Sequence, residues 1–457
     1  MLFNSYQFLI FFPIVTILYF LLPHQMRGFM LLVASCIFYM AFIPAYILIL
    51  FILIFIDYFA AIWMERSEGQ QRKTCLLISI LATSLALFIF KYFNFFNGNL
   101  INVAHFLHLN YPIGALGLIL PIGLSFHTFQ SLSYVIEVYR KKQAVEHDFW
   151  TYALYVMFYP QLVAGPIERP QNLLHQFHEE HVFDYQRVAD GLKLMTWGMF
   201  KKVVIADRLA AFVKVVYDDP HHYQGISFIV ATIFFAFQIY CDFSGYSDIA
   251  IGSAQVMGFR LMDNFNRPYF SKSIAEFWKR WHISLSSWFR DYVYIPLGGK
   301  RVDQGRWFYN LFITFLISGL WHGANWTYIV WGALNGFYVI FGIVTKDIRM
   351  KAMDLIGFDR SSRWYRNSQV LMTFMLVCFA WIFFRSKSIQ DAFYISGHLF
   401  SGVFSFCVNL LSSLKHAGQG MDVLAPITLG QGIMEFSIAI ASIIFLLFVH
   451  LPQKPLA

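Results

Sequence analysis

Residues 307–345 read WFYNLFITFLISGLWHGANWTYIVWGALNGFYVIFGIVT, a run without a charged side chain, bounded by Arg306 and Lys346. At about 20 residues per crossing, its length accommodates two passes through a bilayer. The midpoint is not apolar. Trp321-His322-Gly323-Ala324-Asn325-Trp326 places an imidazole and an amide where a hairpin would turn. A polar, titratable group at membrane depth is costly unless it is paired or faces a wet cavity, which makes His322 a candidate functional residue. Imidazole also titrates near neutrality and suits proton transfer.

The rest of the chain shares this solvent. Of 457 residues, 58% are hydrophobic and 13% charged, against about 25% charged in soluble domains. The expected fold class is all-α, a polytopic integral membrane protein of about nine to twelve transmembrane or re-entrant helices, with interfacial amphipathic helices beside them. The net charge of +8 does not imply nucleic-acid binding. Its basic residues recur between apolar runs, as they do in cytoplasmic membrane loops, so the expected partner is membrane lipid and no nucleic acid. Cys36, Cys75, Cys241, Cys378 and Cys407 are scattered. Their spacing supports neither a disulfide framework nor a metal site.

Spans are expected at 8–22, 28–42, 46–64, 75–96 and 117–135. Arg27 follows the first, nothing basic lies near Pro44, and Arg66, Arg72 and Lys73 follow the third. Residues 97–116 lack Lys and Arg, and Arg140-Lys141-Lys142 closes the series. The positive-inside rule then puts the N-terminus outside. Residues 1–7 carry no basic residue and no small-residue cleavage site follows 8–22, so that run reads as a retained span. Residues 152–166 are apolar but short and end in Gly165-Pro166, which suggests a re-entrant segment.

Residues 188–216 mix Lys193, Lys201, Lys202, Arg208 and Lys214 with apolar positions, an interfacial pattern. A long span over 227–259 is expected to break at Asp242-Phe243-Ser244-Gly245. Residues 260–306 hold nine Lys or Arg against four acids and, like 346–366, are expected in the cytoplasm. The 307–345 hairpin then points His322 outward. Further spans are expected at 369–384 and 433–449, leaving 386–432 external and Lys454 inside. The chain reads as one domain: N-terminal spans 1–136, a catalytic core 137–385, and an external segment with a last span 386–457.

A second histidine lies in 271–292, which reads as one amphipathic helix. At about 100° per residue, Lys272, Lys279, Ser286 and Arg290 share one side and Trp281, Leu285, Trp288 and Tyr292 the other. His282 falls at the boundary. Either this is an interfacial anchor with His282 merely polar, or His282 borders a basic surface where Lys279, Arg280 and Arg290 bind the phosphates of an anionic cofactor. His322 is either a buried ring bonded to a carbonyl, or a group beside a cavity opened at Gly319 and Gly323. Asn325 would hold one imidazole tautomer or polarise a carbonyl. Asp242 either lines a cavity and orients a histidine, or is a structural acid paired with an arginine.

Arg280-Trp281-His282, followed some forty residues later by Ser318-Gly319-Leu320-Trp321-His322-Gly323, resembles the paired-histidine signature of the membrane-bound O-acyltransferase family. Further matching stretches are Leu120-Pro121-Ile122-Gly123-Leu124-Ser125-Phe126, Pro160-Gln161-Leu162-Val163-Ala164-Gly165-Pro166, Gln238-Ile239-Tyr240-Cys241-Asp242-Phe243-Ser244-Gly245, Asn266-Arg267-Pro268-Tyr269 and Tyr294-Ile295-Pro296-Leu297-Gly298-Gly299. They are similar to the bacterial branch that acetylates polysaccharides such as alginate, and they cover roughly residues 2–385.

The resemblance implies an integral enzyme of a bacterial inner membrane, and the charge pattern adds the expectation of a central tunnel, with helices around it, joining a cytoplasmic His282 to a deeper His322. The resemblance also implies an acetyl group moving from a cytoplasmic thioester, acetyl-CoA, to a far-side acceptor. His322 would be catalytic, His282 its partner, and Trp321 and Asn325 supporting residues. It implies no tightly bound cofactor and an exported SGNH-type acetyltransferase as protein partner. On chemical grounds a neutral His322 would act as general base or as nucleophile, with Asn325 or backbone N–H groups as oxyanion donors. The alternative reading is a transporter or flippase of a glycan or lipid precursor. That class often shows paired inverted repeats with broken helices, which the sequence lacks. A scaffold recruiting an exported enzyme is a further rival, and it has no use for His322.

Overall fold

Among the described residues, six helices are long and apolar enough to cross a membrane: Tyr46–Arg66, Gly69–Phe106, Ile226–Met257, Trp326–Val344, Arg363–Arg385 and Ile433–His450. Tyr6–Leu21 and Val403–Ser412 are shorter apolar helices. The structure, a computed structural model, describes residues 1–163, 165–355, 357, 359, 361–415 and 423–451. Ala164 of the 160–166 stretch, 416–422 of the expected external segment, and Lys454 lie outside the described residues. The chain divides into two compact units, Met1–Met199 with Tyr246–Asn264, and Phe200–Gly245 with Phe265–Ala457.

The first unit contains α1 (Tyr6–Leu21), α2 (His24–Met40), α3 (Tyr46–Arg66), α4 (Gly69–Leu87), α5 (Phe93–Phe106), α6 (Leu124–Tyr139), α7 (Phe149–Met157), α8 (Pro170–Leu173) and α9 (Tyr185–Met199). A π-turn over Phe88–Tyr92 joins α4 to α5, so the expected 75–96 span extends at both ends. The Ser5 hydroxyl starts α1 by accepting the Phe8 N–H, and the Asp148 carboxylate starts α7 by accepting those of Trp150 and Thr151. The nine residues of α7 rise only about 14 Å, too short to cross. Its side chains Tyr152 and Tyr155 are fully buried with Phe38, Phe158 and Tyr159.

The expected span at 117–135 is corrected. Residues 109–121 carry no helix, and α6 begins only at Leu124. Gly123 sets that start with φ of +81°, and a Cβ there would lie 2.7 Å from the Leu162 carbonyl oxygen, so only glycine fits. Thr128, Gln130, Ser131 and Ser133 of α6 are all buried. The helix packs against protein rather than lipid.

The second unit opens with a π-turn over Phe200–Ala206 and α10 (Asp207–Asp218), which form the latter part of the stretch 188–216. The long helix α11 (Ile226–Met257) is uninterrupted for 32 residues, contrary to the break expected at Asp242–Gly245. Its polar side chains are answered within the unit. Lys202 pairs with Asp242 at 2.8 Å and Lys201 donates to the Ser244 hydroxyl at 2.9 Å. A single glycine costs a helix interior only about 1 kcal/mol.

The helix expected over 271–292 is also corrected. It is divided into α12 (Ile274–Arg280) and α13 (Ile283–Phe289), followed by a π-turn over Arg290–Tyr294. Trp281 is extended and His282 left-handed, with φ of +45°. Tertiary contacts override the periodicity here. Phe265 forms an isolated antiparallel bridge with Trp281, and the Asn266 N–H donates to the Arg280 carbonyl at 2.9 Å.

The 307–345 run forms the expected hairpin, α14 (Gln304–His322) and α15 (Trp326–Val344). Asp303 caps α14 and Asn325 caps α15. Beyond it come α16 (Lys346–Leu355), α17 (Arg363–Arg385), α18 (Ile389–Gly397), α19 (Val403–Lys415) and the last long helix, Ile433–His450. Within the hairpin the backbones touch. A Cβ on Gly319 would lie 2.3 Å from the Tyr328 carbonyl oxygen, and one on Gly332 would lie 2.5 Å from that of Phe315.

Gly319→Val therefore wedges α14 from α15 and is expected to cost about 1–3 kcal/mol, read as a lower unfolding temperature in detergent. Gly342→Ala, with nothing within 4 Å of the new methyl, should leave that temperature unchanged or raise it. Equal behaviour of the two variants would contradict the close contact.

Candidate active site

His322 is the last residue of α14 and Trp321 the one before it. The hairpin turn places them at the end of the helix pair farthest from Arg301 and Arg306. The imidazole is half-buried and ringed by aromatics: Trp321 at 4.8 Å between centroids, Trp331 at 5.1 Å and Phe384 at 5.2 Å. Trp331 comes from α15 and Phe384 from the C-terminal end of α17, so three elements close around one ring.

His282 approaches from a different element. It begins α13 and is 1% exposed. Its ring lies 4.6 Å from Phe243 and 6.4 Å from Trp321, so Trp321 is shared by both histidines. Burial, and after it the neighbouring His322, push the His282 pKa well below its ordinary value, which leaves the ring uncharged at neutral pH. The left-handed backbone at a non-glycine residue is strained, and such strain collects at functional sites.

A cavity of about 740 Å³ lies beside the pair. Trp278, Lys279, Ser286, Arg290, Thr314 and Ser318 are among its lining residues. Ser318 and His322 are four positions apart on α14 and therefore share a face, one helical turn apart. Ile283, next to His282, also lines the cavity. The walls are mostly apolar, with hydroxyls and two cations, Lys279 and Arg290, among them. This matches the general form of a binding site for an amphipathic ligand.

Of the residues singled out from the sequence, His282, His322 and Trp321 come together, and Lys279 and Arg290 face the same cavity. Arg280 is not among the cavity's lining residues and pairs with Glu276 at 2.6 Å. Arg290 also pairs with Asp291 at 2.7 Å. Asp242 is 42% exposed at its side chain and bound to Lys202, a lysine where an arginine was considered. Its neighbour Phe243, not Asp242, packs on His282. Asn325 acts locally, as its Oδ1 accepts the Thr327 N–H at 3.0 Å and its Nδ2 donates to the Lys387 carbonyl at 3.2 Å.

Several participants escaped sequence reasoning. Asn335 is buried, accepts the Trp278 indole N–H at 3.1 Å and donates to the Trp331 carbonyl at 2.8 Å. It thus fixes a cavity wall to the helix that carries Trp331. An amide in the otherwise apolar 326–344 run was the available signal. Trp331 also stacks on Trp381 at 5.9 Å, and Trp381 reaches Trp281 at 5.2 Å. No local pattern marks these rings apart from other aromatics.

The family model described as MBOAT, membrane-bound O-acyltransferase family, matches residues 35–389. The chain is 37% identical over 423 residues to the "Probable alginate O-acetylase AlgI" of Pseudomonas aeruginosa, covering 91% of this chain and 77% of that protein. It is 33% identical to the "Peptidoglycan O-acetyltransferase" of Helicobacter pylori, covering 86% of this chain and 78% of that one. With the "Teichoic acid D-alanyltransferase" of Bacillus subtilis it shares 26% identity over 58% of this chain and 69% of the other. The matched region contains both histidines, the hairpin that carries His322 and the residues lining the cavity beside them, and the chain belongs to the membrane-bound O-acyltransferase family as a multi-pass membrane acyltransferase.

Proposed function

We propose that this acyltransferase takes an acetyl group from a cytoplasmic thioester, acetyl-CoA, and passes it to a hydroxyl on the far side of the membrane for O-acetylation of an exported polysaccharide. An exported acetyltransferase is the proposed carrier of the group to the polymer. The observation that supports this most is the cavity that holds Lys279 and Arg290 and reaches Ser318, one turn from His322. Lysine and arginine suit the phosphates of a coenzyme A thioester, and the apolar walls suit its long arm. The proposed orientation puts the Arg301 and Arg306 end of α14 in the cytoplasm and the N-terminus outside. The α14–α15 turn then faces outward, where the acceptor arrives. The membrane is proposed to be the bacterial inner membrane.

In the proposed step the acceptor hydroxyl oxygen attacks the thioester carbonyl while His322 takes its proton. The C–S bond then breaks, the ester C–O bond remains, and the departing thiolate receives the proton from the imidazolium. His322 ends α14, whose C-terminal partial negative charge favours the transient imidazolium. Acyl transfer to His322 itself, followed by attack of the hydroxyl, uses the same geometry. His282, buried and neutral, is assigned to positioning through the shared Trp321 ring. Asn325, engaged at both polar atoms, is assigned to holding the turn that presents His322.

Two measurements test the proposal. With radiolabelled acetyl-CoA and membranes containing the acceptor, His322→Ala should lower acetyl transfer about 10²- to 10⁴-fold while protein level and insertion stay normal. Undiminished transfer removes His322 from the mechanism, and an acetyl-CoA-independent wild-type activity removes the donor. Arg290→Ala and Lys279→Ala should each raise KM for acetyl-CoA about tenfold with little change in kcat. An unchanged KM in both places the donor phosphates elsewhere.

A further inference from the structure

The first unit holds a group of buried ionisable residues that acyl transfer leaves unused. Asp57 lies in α3, a helix of spanning length, and is 1% exposed. One carboxylate oxygen accepts the Ser79 hydroxyl of α4 at 2.5 Å. The other, Oδ2, is buried without a hydrogen-bond partner, and so is the Tyr152 hydroxyl of α7. The Ser131 hydroxyl of α6 approaches both. Four helices thus converge on one carboxyl group with an idle oxygen and an idle phenol beside it.

From Tyr152 the polar groups continue to the surface. Its ring lies 4.5 Å from that of Tyr134. The Tyr134 hydroxyl accepts the Glu146 N–H at 2.9 Å, and the Glu146 carboxylate meets the exposed His178 at 2.8 Å. Glu65, at the end of α3, meets the exposed His147 at 3.3 Å. Asp57 and Glu65 are eight residues apart, about 12 Å along the helix axis. The depth is therefore small enough for two tyrosines to bridge.

Of the other ionisable groups on the helices packed against α3, Glu137 and Arg72 are hydrogen-bonded, while the Tyr39 hydroxyl and both His127 ring nitrogens are buried without a hydrogen-bond partner. Glu137 of α6 is held by Arg140 at 3.2 Å and Gln171 at 3.0 Å. Arg72 of α4 donates to the Met64 and Val138 carbonyls. Tyr39 of α2 packs edge-on against His127 of α6. Within a span, an acid that is neither ion-paired nor fully hydrogen-bonded marks a proton or ion path by default.

We propose that Asp57 is an exchangeable proton site, connected to the surface at Glu146 and His178 through the hydroxyls of Tyr134 and Tyr152. On loading, a proton enters at Glu146 and Tyr134 takes it as its own proton moves to Tyr152; the Tyr152 hydroxyl, unpartnered at rest, must turn first onto Tyr134 and then onto Asp57 Oδ2, where it gives up its proton. Unloading reverses each transfer, so each tyrosine ends neutral. Asp57 is the single charged ligand that this cluster could offer a metal cation, the others being the neutral hydroxyls of Ser79, Ser131 and Tyr152, which favours the proton as ligand.

Infrared difference spectra of the full chain in nanodiscs test this. The wild-type protein should show a carboxylic-acid C=O band that is absent in Asp57→Asn, changes with pH, and shifts promptly in deuterated water. Tyr152→Phe, which keeps the ring and removes the hydroxyl, should slow that shift about tenfold or more, because the relay loses one of its two phenolic carriers. A band insensitive to deuterium, an Asp57 that stays a carboxylate at every pH or responds to sodium instead, or unchanged exchange in Tyr152→Phe overturns the proposal. The tyrosine arm stands even where Asp57→Asn does not fold, and neither arm involves acyl transfer.

Discussion

The active-site geometry depends on two helices whose backbones touch. Gly319 and Gly332 let α14 and α15 approach until a methyl group would collide with a carbonyl oxygen, and that contact fixes where their shared turn lies. Each glycine sits near a bulky ring. Trp331 precedes Gly332 and lies on His322, while Trp321 follows Gly319 by two residues and lies against both histidines. Small residues set the spacing of the hairpin and large ones fill what remains around the imidazole. The titratable ring is thereby held among three aromatic neighbours at an angle to which packing contributes.

Packing also governs the electrostatics. Aromatic rings half-bury His322, and in such surroundings a charge gained or lost weighs more than it would in solvent. Asn335 extends the order outward. By holding both the Trp278 indole and the Trp331 carbonyl, it ties a cavity wall to the helix that presents the site. A ligand lying along Trp278 therefore meets a surface already aligned with His322. Such preorganisation lowers the cost of bringing donor and acceptor together. The first unit uses burial differently, gathering hydroxyls around Asp57 rather than rings around a base.

Much of this was legible in the sequence, and the parts that were not share a cause. The 307–345 hairpin followed from its length and lack of charge, and the position of His322 beside the turn from its place near the midpoint. The apolar helices at 46–64, 369–384 and 433–449 were bounded to within a few residues, except at the N-terminal end of the second. The failures came where side chains meet partners remote in sequence. Periodicity makes 271–292 one helix, but Asn266 and Phe265 bind the chain at Arg280 and Trp281 and break it there. Local polarity suggests a break at Asp242–Gly245, but Lys201 and Lys202 answer those groups and the helix continues. Gly123 likewise makes sense only against Leu162, and the buried Gln130 of α6 only against the Tyr155 carbonyl of α7. The capping of α15 by Asn325 follows the ordinary need of a helix start for such a side chain and was not read from the sequence.

The proposed transfer requires a thioester to reach His322 from the cavity that holds Lys279 and Arg290. A structure of the chain in nanodiscs with an unreactive acetyl-CoA analogue tests that most directly. The phosphates are expected beside Lys279 and Arg290, the long arm along Trp278 and Ser318, and the acetyl carbon within about 3.5 Å of the His322 ring. An analogue bound elsewhere, or one whose acetyl end stops short of an imidazole sealed behind Trp321, Trp331 and Phe384, would contradict it.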